Sequence, residues 1–127
     1  MAAILLAEDD DVMRRYLVRA LERAGHDVVP VDCGAAAMAR VDAGENFDLL
    51  LTDIVMPQID GVELAQRVAA LRPDIRVIFI TGFSAVALRA EKALPEGRII
   101  SKPFHLKDLV CEVQRVLGQE PFVPHQS

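Results

Sequence analysis

Two hydrophobic patterns alternate along the chain. Short apolar runs occupy Ile4–Ala7, Leu49–Thr52 and Arg76–Ile80, with weaker ones at Asp27–Val31 and Arg98–Ser101. Runs of this length are too short for helices and suit strands. Between them, apolar residues recur at helical spacing. From Val12 to Ala24 they fall at Val12, Met13, Tyr16, Leu17, Ala20, Leu21 and Ala24, with Arg14, Arg15, Arg19, Glu22 and Arg23 on the other face. Cys33–Val41 is alanine-rich, and Gly61–Leu71 carries Val62, Leu64, Ala65, Val68, Ala69 and Leu71 as its apolar side. Ala85 to about Lys92 forms a fourth helix that Ser84 can cap, and Leu106–Leu117 forms a fifth. Gly25, Gly44 and Gly118 end helices, and Pro73 and Pro95 stop the other two. Pro30 places its strand at a sheet edge, where a missing N–H costs nothing.

Five strands alternating with five helices predict an α/β fold: a doubly wound (βα)5 sandwich around a five-stranded parallel sheet. Its crossovers are right-handed. The pattern shows no repeat and no linker, so one domain is expected over residues 1–119, followed by a short tail, 120–127, that frays.

Composition narrows the function. The chain has 127 residues, 52% of them hydrophobic and only 5% aromatic, so its core is aliphatic. A net charge of −5 argues against a nucleic-acid surface, which needs a basic patch. No apolar stretch approaches a membrane span, and Met1–Glu8 lacks the basic start of a signal peptide. Cys33 and Cys111 fit reduced thiols in a cytoplasmic protein. His26, His105 and His125 show no metal-ligand spacing and read as surface residues.

In an open parallel sheet, ligands bind beyond the carboxyl ends of the strands. Those ends are followed by Glu8, Asp9 and Asp10, then Asp32, Asp53, Thr81 and Lys102. Asp53 most needs explaining, because a carboxylate at the tip of a buried strand loses solvation unless an opposite charge compensates. Asp10 and Asp11 read as the acidic first turn of a helix. In a sheet of order 2-1-3-4-5, Glu8 and Asp9 would stand beside Asp53. Acids sharing a pocket repel one another unless a cation joins them, and hard oxygen ligands with room for water suit Mg²⁺. Lys102 would then be the counter-charge for an anion near Asp53, and Thr81 a hydroxyl donor. Such a set can perform phosphoryl chemistry with a carboxylate as nucleophile. Taken singly, each residue has an ordinary reading: a loop cap, a turn hydroxyl, a solvated lysine.

The stretches ILLAEDD, LLLTDIVMPQIDGVEL, FITG and SKPF, in that order, resemble the receiver domain of bacterial response regulators over Ile4–Leu117. The resemblance implies a flavodoxin-like sheet of order 2-1-3-4-5, as in the chemotaxis regulator CheY. It implies Asp53 as the phosphorylated residue and Asp9 as a direct Mg²⁺ ligand. Glu8 would act on the metal directly or through water, and Val55 would give it a backbone carbonyl. Thr81 would be the switch hydroxyl, and Lys102 the phosphoryl-contacting lysine, followed by a cis peptide to Pro103. The implied donor is a histidine kinase or histidine phosphotransferase, docking on helix one near Met13, Arg14 and Leu17. The implied output face joins helix four, strand five and helix five. Such a protein is not an enzyme beyond catalysing its own phosphorylation and dephosphorylation.

At finer grain, LLAEDDDVMRRYLVRALERAG, LLLTDIVMPQIDGVELA and FITGFSAVAL resemble the CpdR type of single-domain regulator. Members of that type act, when unphosphorylated, as adaptors for the ClpXP protease. On that reading no output domain follows, output is by direct protein contact, and the chain is a monomer or weak dimer. A phosphate shuttle or CheY-like effector of another target is the alternative. A flavodoxin-type cofactor binder would need a phosphate loop where Glu8–Asp11 stands, and a haloacid-dehalogenase-type phosphatase a second acid where Val55 stands. A degenerate receiver acting only as an interaction module would have lost Asp53 or Lys102.

Two departures from the family pattern carry expectations. The family places an aromatic residue three before the lysine, and this chain has Ile99. The switch from Thr81 is therefore expected to pass through Thr81–Ser84 and helix four. Val55 and Phe83, both apolar, flank the path of hydrolytic water, which predicts slow loss of the phosphoryl group.

Overall fold

Ten elements follow one another: β1 (Ala3–Ala7), α1 (Asp11–Arg23), β2 (Asp27–Val31), α2 (Gly34–Asp42), β3 (Leu49–Asp53), α3 (Gly61–Leu71), β4 (Arg76–Thr81), α4 (Ser84–Ala93), β5 (Arg98–Ser101) and α5 (Leu106–Val116). They belong to a computed structural model whose described residues are 2–82 and 84–118, the side chains of Ser84 and Ala85 excepted. The expectations placed on Phe83, on Ser84 as a cap and on the tail 120–127 lie outside the described residues.

The strands are parallel in the order β2-β1-β3-β4-β5, as expected. β3 lies at the centre and is buried at every position. Both its faces are covered, so its sequence runs apolar without alternation. Successive residues feed two cores. Leu5, Leu50 and Phe79 pack with Ala37, Val41, Leu64, Val68 and Ala90 of α2, α3 and α4. Ile4, Leu6, Leu49, Leu51, Ile78 and Ile80 pack with Leu17 and Leu21 of α1 and Leu109 and Val113 of α5. Gly25, just past α1, takes a left-handed φ of 96°, a backbone state that a side chain would disfavour.

β3 and β4 run one residue beyond the apolar pattern, so Asp53 and Thr81 are the last residues of their strands. Some burial expectations fail. The apolar pattern of α1 is wider than its buried stripe: Leu17 and Leu21 are fully buried, while Val12 and Tyr16 are 58% and 55% exposed. Leu71, at the end of α3, overhangs its core and is exposed. His26 is not a surface residue but is buried between the end of α1 and the start of β2. Neither ring nitrogen has a hydrogen-bond partner, and burial holds the imidazole pKa below its ordinary value.

Candidate functional site

The β1–β3 register pairs Ala7 with Thr52, and one further step sets Glu8 opposite Asp53. Asp10 caps α1 through the Met13 N–H, and the acids Glu8 and Asp9 fill the short link between β1 and that cap. The carboxylate oxygens of Glu8, Asp9 and Asp53 lie within 4.8 Å of one another. From the far side comes Lys102, one residue beyond β5, whose backbone N–H is held by the Thr81 carbonyl at 2.8 Å. The Lys102–Pro103 peptide is cis, as the resemblance implies. The Lys102 Nζ lies 3.0 Å from Asp53 Oδ2 and 3.6 Å from Glu8 Oε1. Asp53 Oδ1 accepts from the Val55 N–H at 3.3 Å. Glu8, Asp9, Asp53, Val55, Thr81 and Lys102 thus occupy one end of the sheet. Ile99 does not join them, but packs beside Phe79 in the core that α4 covers.

Desolvation sets the direction at Glu8 but not at Lys102. Burial pushes the Glu8 carboxyl up to about 7, with the neighbouring charge of Asp53 adding to it and the Asp10 N–H and Lys102 opposing. Burial alone would lower the Lys102 ammonium, but its bond to Asp53 and the charges of Asp53 and Glu8 outweigh that and raise it. Glu8 Oε1 is buried and has no hydrogen-bond partner. An all-oxygen cluster with one orphaned buried oxygen fits a hard divalent cation.

The shifts of Glu8 and His26 drive stability in opposite directions. With the Glu8 pKa raised from 4.5 to about 7, the folded chain binds more protons in that window, and stability falls as pH rises through it. With His26 lowered from 6.5, the unfolded chain binds more protons just below 6.5, and stability falls as pH drops. His26→Leu is expected to remove only the second slope. The urea-unfolding free energy of wild type minus variant should climb, as pH rises towards 6.5, by up to about 1.4 kcal/mol per pH unit. A difference that stays flat between about pH 5 and 7 contradicts the buried, neutral imidazole.

Several contributors escaped the sequence reading. Gly61 starts α3 against the strand tip, where an added Cβ would stand 2.1 Å from the Asp53 carbonyl oxygen. In the sequence Gly61 reads only as the first residue of a helix after a loop. Asp60 caps α3 and also binds Arg89 of α4 at 3.0 Å, tying the loop after Asp53 to that helix. Burial would raise the Asp60 carboxyl, but the Glu63 N–H and Arg89 together lower it.

The expected docking surface on α1 needs correction. Leu17 is fully buried, and Arg14 turns back onto the Glu8 carbonyl at 2.9 Å. The outward face of α1 presents Val12, Arg15, Tyr16 and Arg19 instead. Between α4, β5 and α5 lies a groove of about 700 Å³, walled by Glu91, Pro95, Ile99, Asp108 and Glu112 among others. Among the described residues no helix is long and apolar enough to cross a membrane.

Comparison with known proteins agrees with this architecture. The family model for the response regulator receiver domain matches residues 4–114. The chain is 54% identical over 118 residues to the response regulator receiver protein CpdR of Brucella abortus (strain 2308), covering 92% of this chain and 98% of that protein. It is 39% identical over 119 residues to the DNA-binding transcriptional regulator NtrC of Azospirillum brasilense, covering 92% of this chain but 24% of that protein. The crystal structure of a response regulator receiver protein from Sinorhizobium medicae WSM419 superposes with a TM-score of 0.84 at 30% identity, over 91% of this chain and 94% of that one. With a family model spanning most of its length and a receiver protein aligned to it nearly end to end, the chain belongs to the response regulator receiver domain family.

Proposed function

We propose that the chain accepts a phosphoryl group on Asp53 from the phosphohistidine of a histidine kinase or histidine phosphotransferase in the cytoplasm. The observation that carries this reading is the cluster of Glu8, Asp9 and Asp53 with Lys102 Nζ 3.0 Å from Asp53. An Asp53 carboxylate oxygen attacks phosphorus, the P–N bond breaks, and the imidazole leaves. Lys102 offsets the charge gathering on the phosphoryl oxygens, and the Thr81 hydroxyl hydrogen-bonds to one of them. Glu8, Asp9, Asp53 and the Val55 carbonyl would hold Mg²⁺. When bound, that ion neutralises charge shared between the acids and the phosphoryl group. Such transfer needs placement and charge neutralisation more than covalent help, which matches what these residues offer.

Phosphorylation then changes the contacts the chain makes with a partner. The likeness to CpdR favours an adaptor for the ClpXP protease that works in the unphosphorylated state. The Asp60–Arg89 pair gives α4 a direct mechanical tie to the Asp53 loop, a route to the α4–β5–α5 groove that needs no aromatic at Ile99. One experiment tests both halves. Wild type treated with acetyl phosphate should gain one phosphoryl mass with Mg²⁺ and none with a chelator. Immobilised ClpX should retain the untreated chain and release the phosphorylated one. No Mg²⁺-dependent mass gain overturns the phosphoacceptor reading, and equal retention of both forms overturns the adaptor reading.

A further inference from the structure

The strongest unassigned contact near the acids is made by Arg14. Its Nη1 donates to the Glu8 carbonyl at 2.9 Å, and its Nη2 is paired with the Asp11 carboxylate. The side chain is largely buried, with 20% exposed. We infer that Arg14 is a positioning residue for the metal-binding acids: it fixes the peptide unit from which Asp9 projects and completes the immobilisation of Glu8.

The argument follows the polar atoms of Glu8. Its N–H donates to the Val31 carbonyl at 3.1 Å, which ties it to β2. Its carbonyl is held by Arg14. Its Oε2 accepts from the Asp10 N–H at 3.2 Å. Only Oε1 is left over, buried and facing the Lys102 ammonium at 3.6 Å. The carbonyl that Arg14 grips belongs to the same planar peptide as the Asp9 N–H, so Arg14 sets the direction in which Asp9 leaves the backbone. Asp9 is exposed, and among the described residues its carboxylate makes no hydrogen bond or ion pair of its own. Its placement in the cluster therefore depends on the peptide behind it. A guanidinium suits this task because its rigid fork serves a carbonyl and a carboxylate together, which an ammonium on a flexible stem does not.

Charge and position predict opposite outcomes, which makes the inference testable. Arg14 and Asp11 form a neutral pair, so deleting Arg14 uncovers one more negative charge beside the cluster. By charge alone, Arg14→Ala would tighten cation binding and Arg14→Lys would leave it unchanged. By positioning, both variants weaken it, by about tenfold, as loss of a group that orients a metal ligand typically does.

The inference rests on the metal-assisted reading of Asp53, and the measurement separates the two. The full chain is titrated with Mg²⁺ alone while the amide resonances of Asp9 and Asp53 are followed. Wild type, Arg14→Lys, Arg14→Ala and the exposed control Arg23→Ala, in the last turn of α1, are compared. The thermal midpoint of each is taken without Mg²⁺. Weaker Mg²⁺ binding in both Arg14 variants, with Arg23→Ala unchanged and Arg14→Lys still folded, is the expected result. Wild-type affinity in Arg14→Lys, or tighter binding in Arg14→Ala, overturns the positioning role. A wild type with no saturable response at Asp9 and Asp53 overturns the metal site itself, and the positioning role with it.

Discussion

Asp53→Asn is expected to gain no phosphoryl group from acetyl phosphate and Mg²⁺ under conditions that convert the wild type fully. An amide offers no anionic oxygen to attack phosphorus, so the loss should be complete rather than partial. The fold should survive, because asparagine matches the shape of the acid and Lys102 keeps Glu8 as a partner at 3.6 Å. Removing one anion from the cluster also relieves the repulsion that helps raise Glu8. The variant should therefore keep its circular dichroism spectrum and, if the proposed adaptor role holds, bind ClpX whether or not acetyl phosphate is present. Intact-protein mass spectrometry decides the matter. A variant that still acquires the group at the wild-type rate would move the acceptor role to another acid, with Glu8 and Asp9 the alternatives in the cluster.

Gly61→Ala should produce the largest loss of stability per atom added. The new Cβ would stand 2.1 Å from the Asp53 carbonyl oxygen and 2.9 Å from the Ile54 Cα. Both obstacles are backbone, so no side-chain rotation relieves the clash. Overpacking costs about 1–3 kcal/mol, and the upper end applies against backbone. Alanine's better helix propensity returns less than about 1 kcal/mol, which leaves a net loss of roughly 2 kcal/mol. The strand tip must also retreat, and a misplacement of about 1 Å at a reacting group lowers its rate roughly 100-fold. Urea unfolding and the rate of phosphorylation by acetyl phosphate, measured on one preparation, check both effects. If neither changes, the tip of β3 has room that the observed approach of Gly61 denies.

The legible and illegible parts of this molecule divide by range. The unbroken apolar runs of β3 and β4 announced a sheet covered on both faces, because strands of that kind have no polar face to show. Asp53, Thr81 and Lys102 could be grouped from sequence because each stands at or just past the carboxyl end of a strand, and in a parallel sheet those ends converge. The misses depend on contacts that no local pattern encodes. The helical pattern of α1 included Val12 and Tyr16, yet the buried stripe follows Leu17 and Leu21, since only that side meets α5 and the sheet. His26 reads as a surface residue until α1 and β2 close over it. Arg14 belongs by spacing to a charged helix face, and only its reach back across six residues reveals where its guanidinium goes. Gly61 and Asp53 stand eight positions apart in the chain (61 against 53), and their contact exists only once the intervening loop has folded.

Pro30, at the outer edge of the sheet in β2, bears on how the protein tolerates crowding. An exposed strand edge is a template on which a neighbouring chain can add its own strand, and that is how many sheet proteins begin to aggregate. Proline breaks the row of donors such a template needs. The opposite edge is guarded differently: β5 is only four residues long, starts at Arg98 and runs directly into Lys102. Neither border offers a long, flat, donor-complete edge. Two blunted borders lower the tendency of a sheet with so apolar a centre to grow from molecule to molecule.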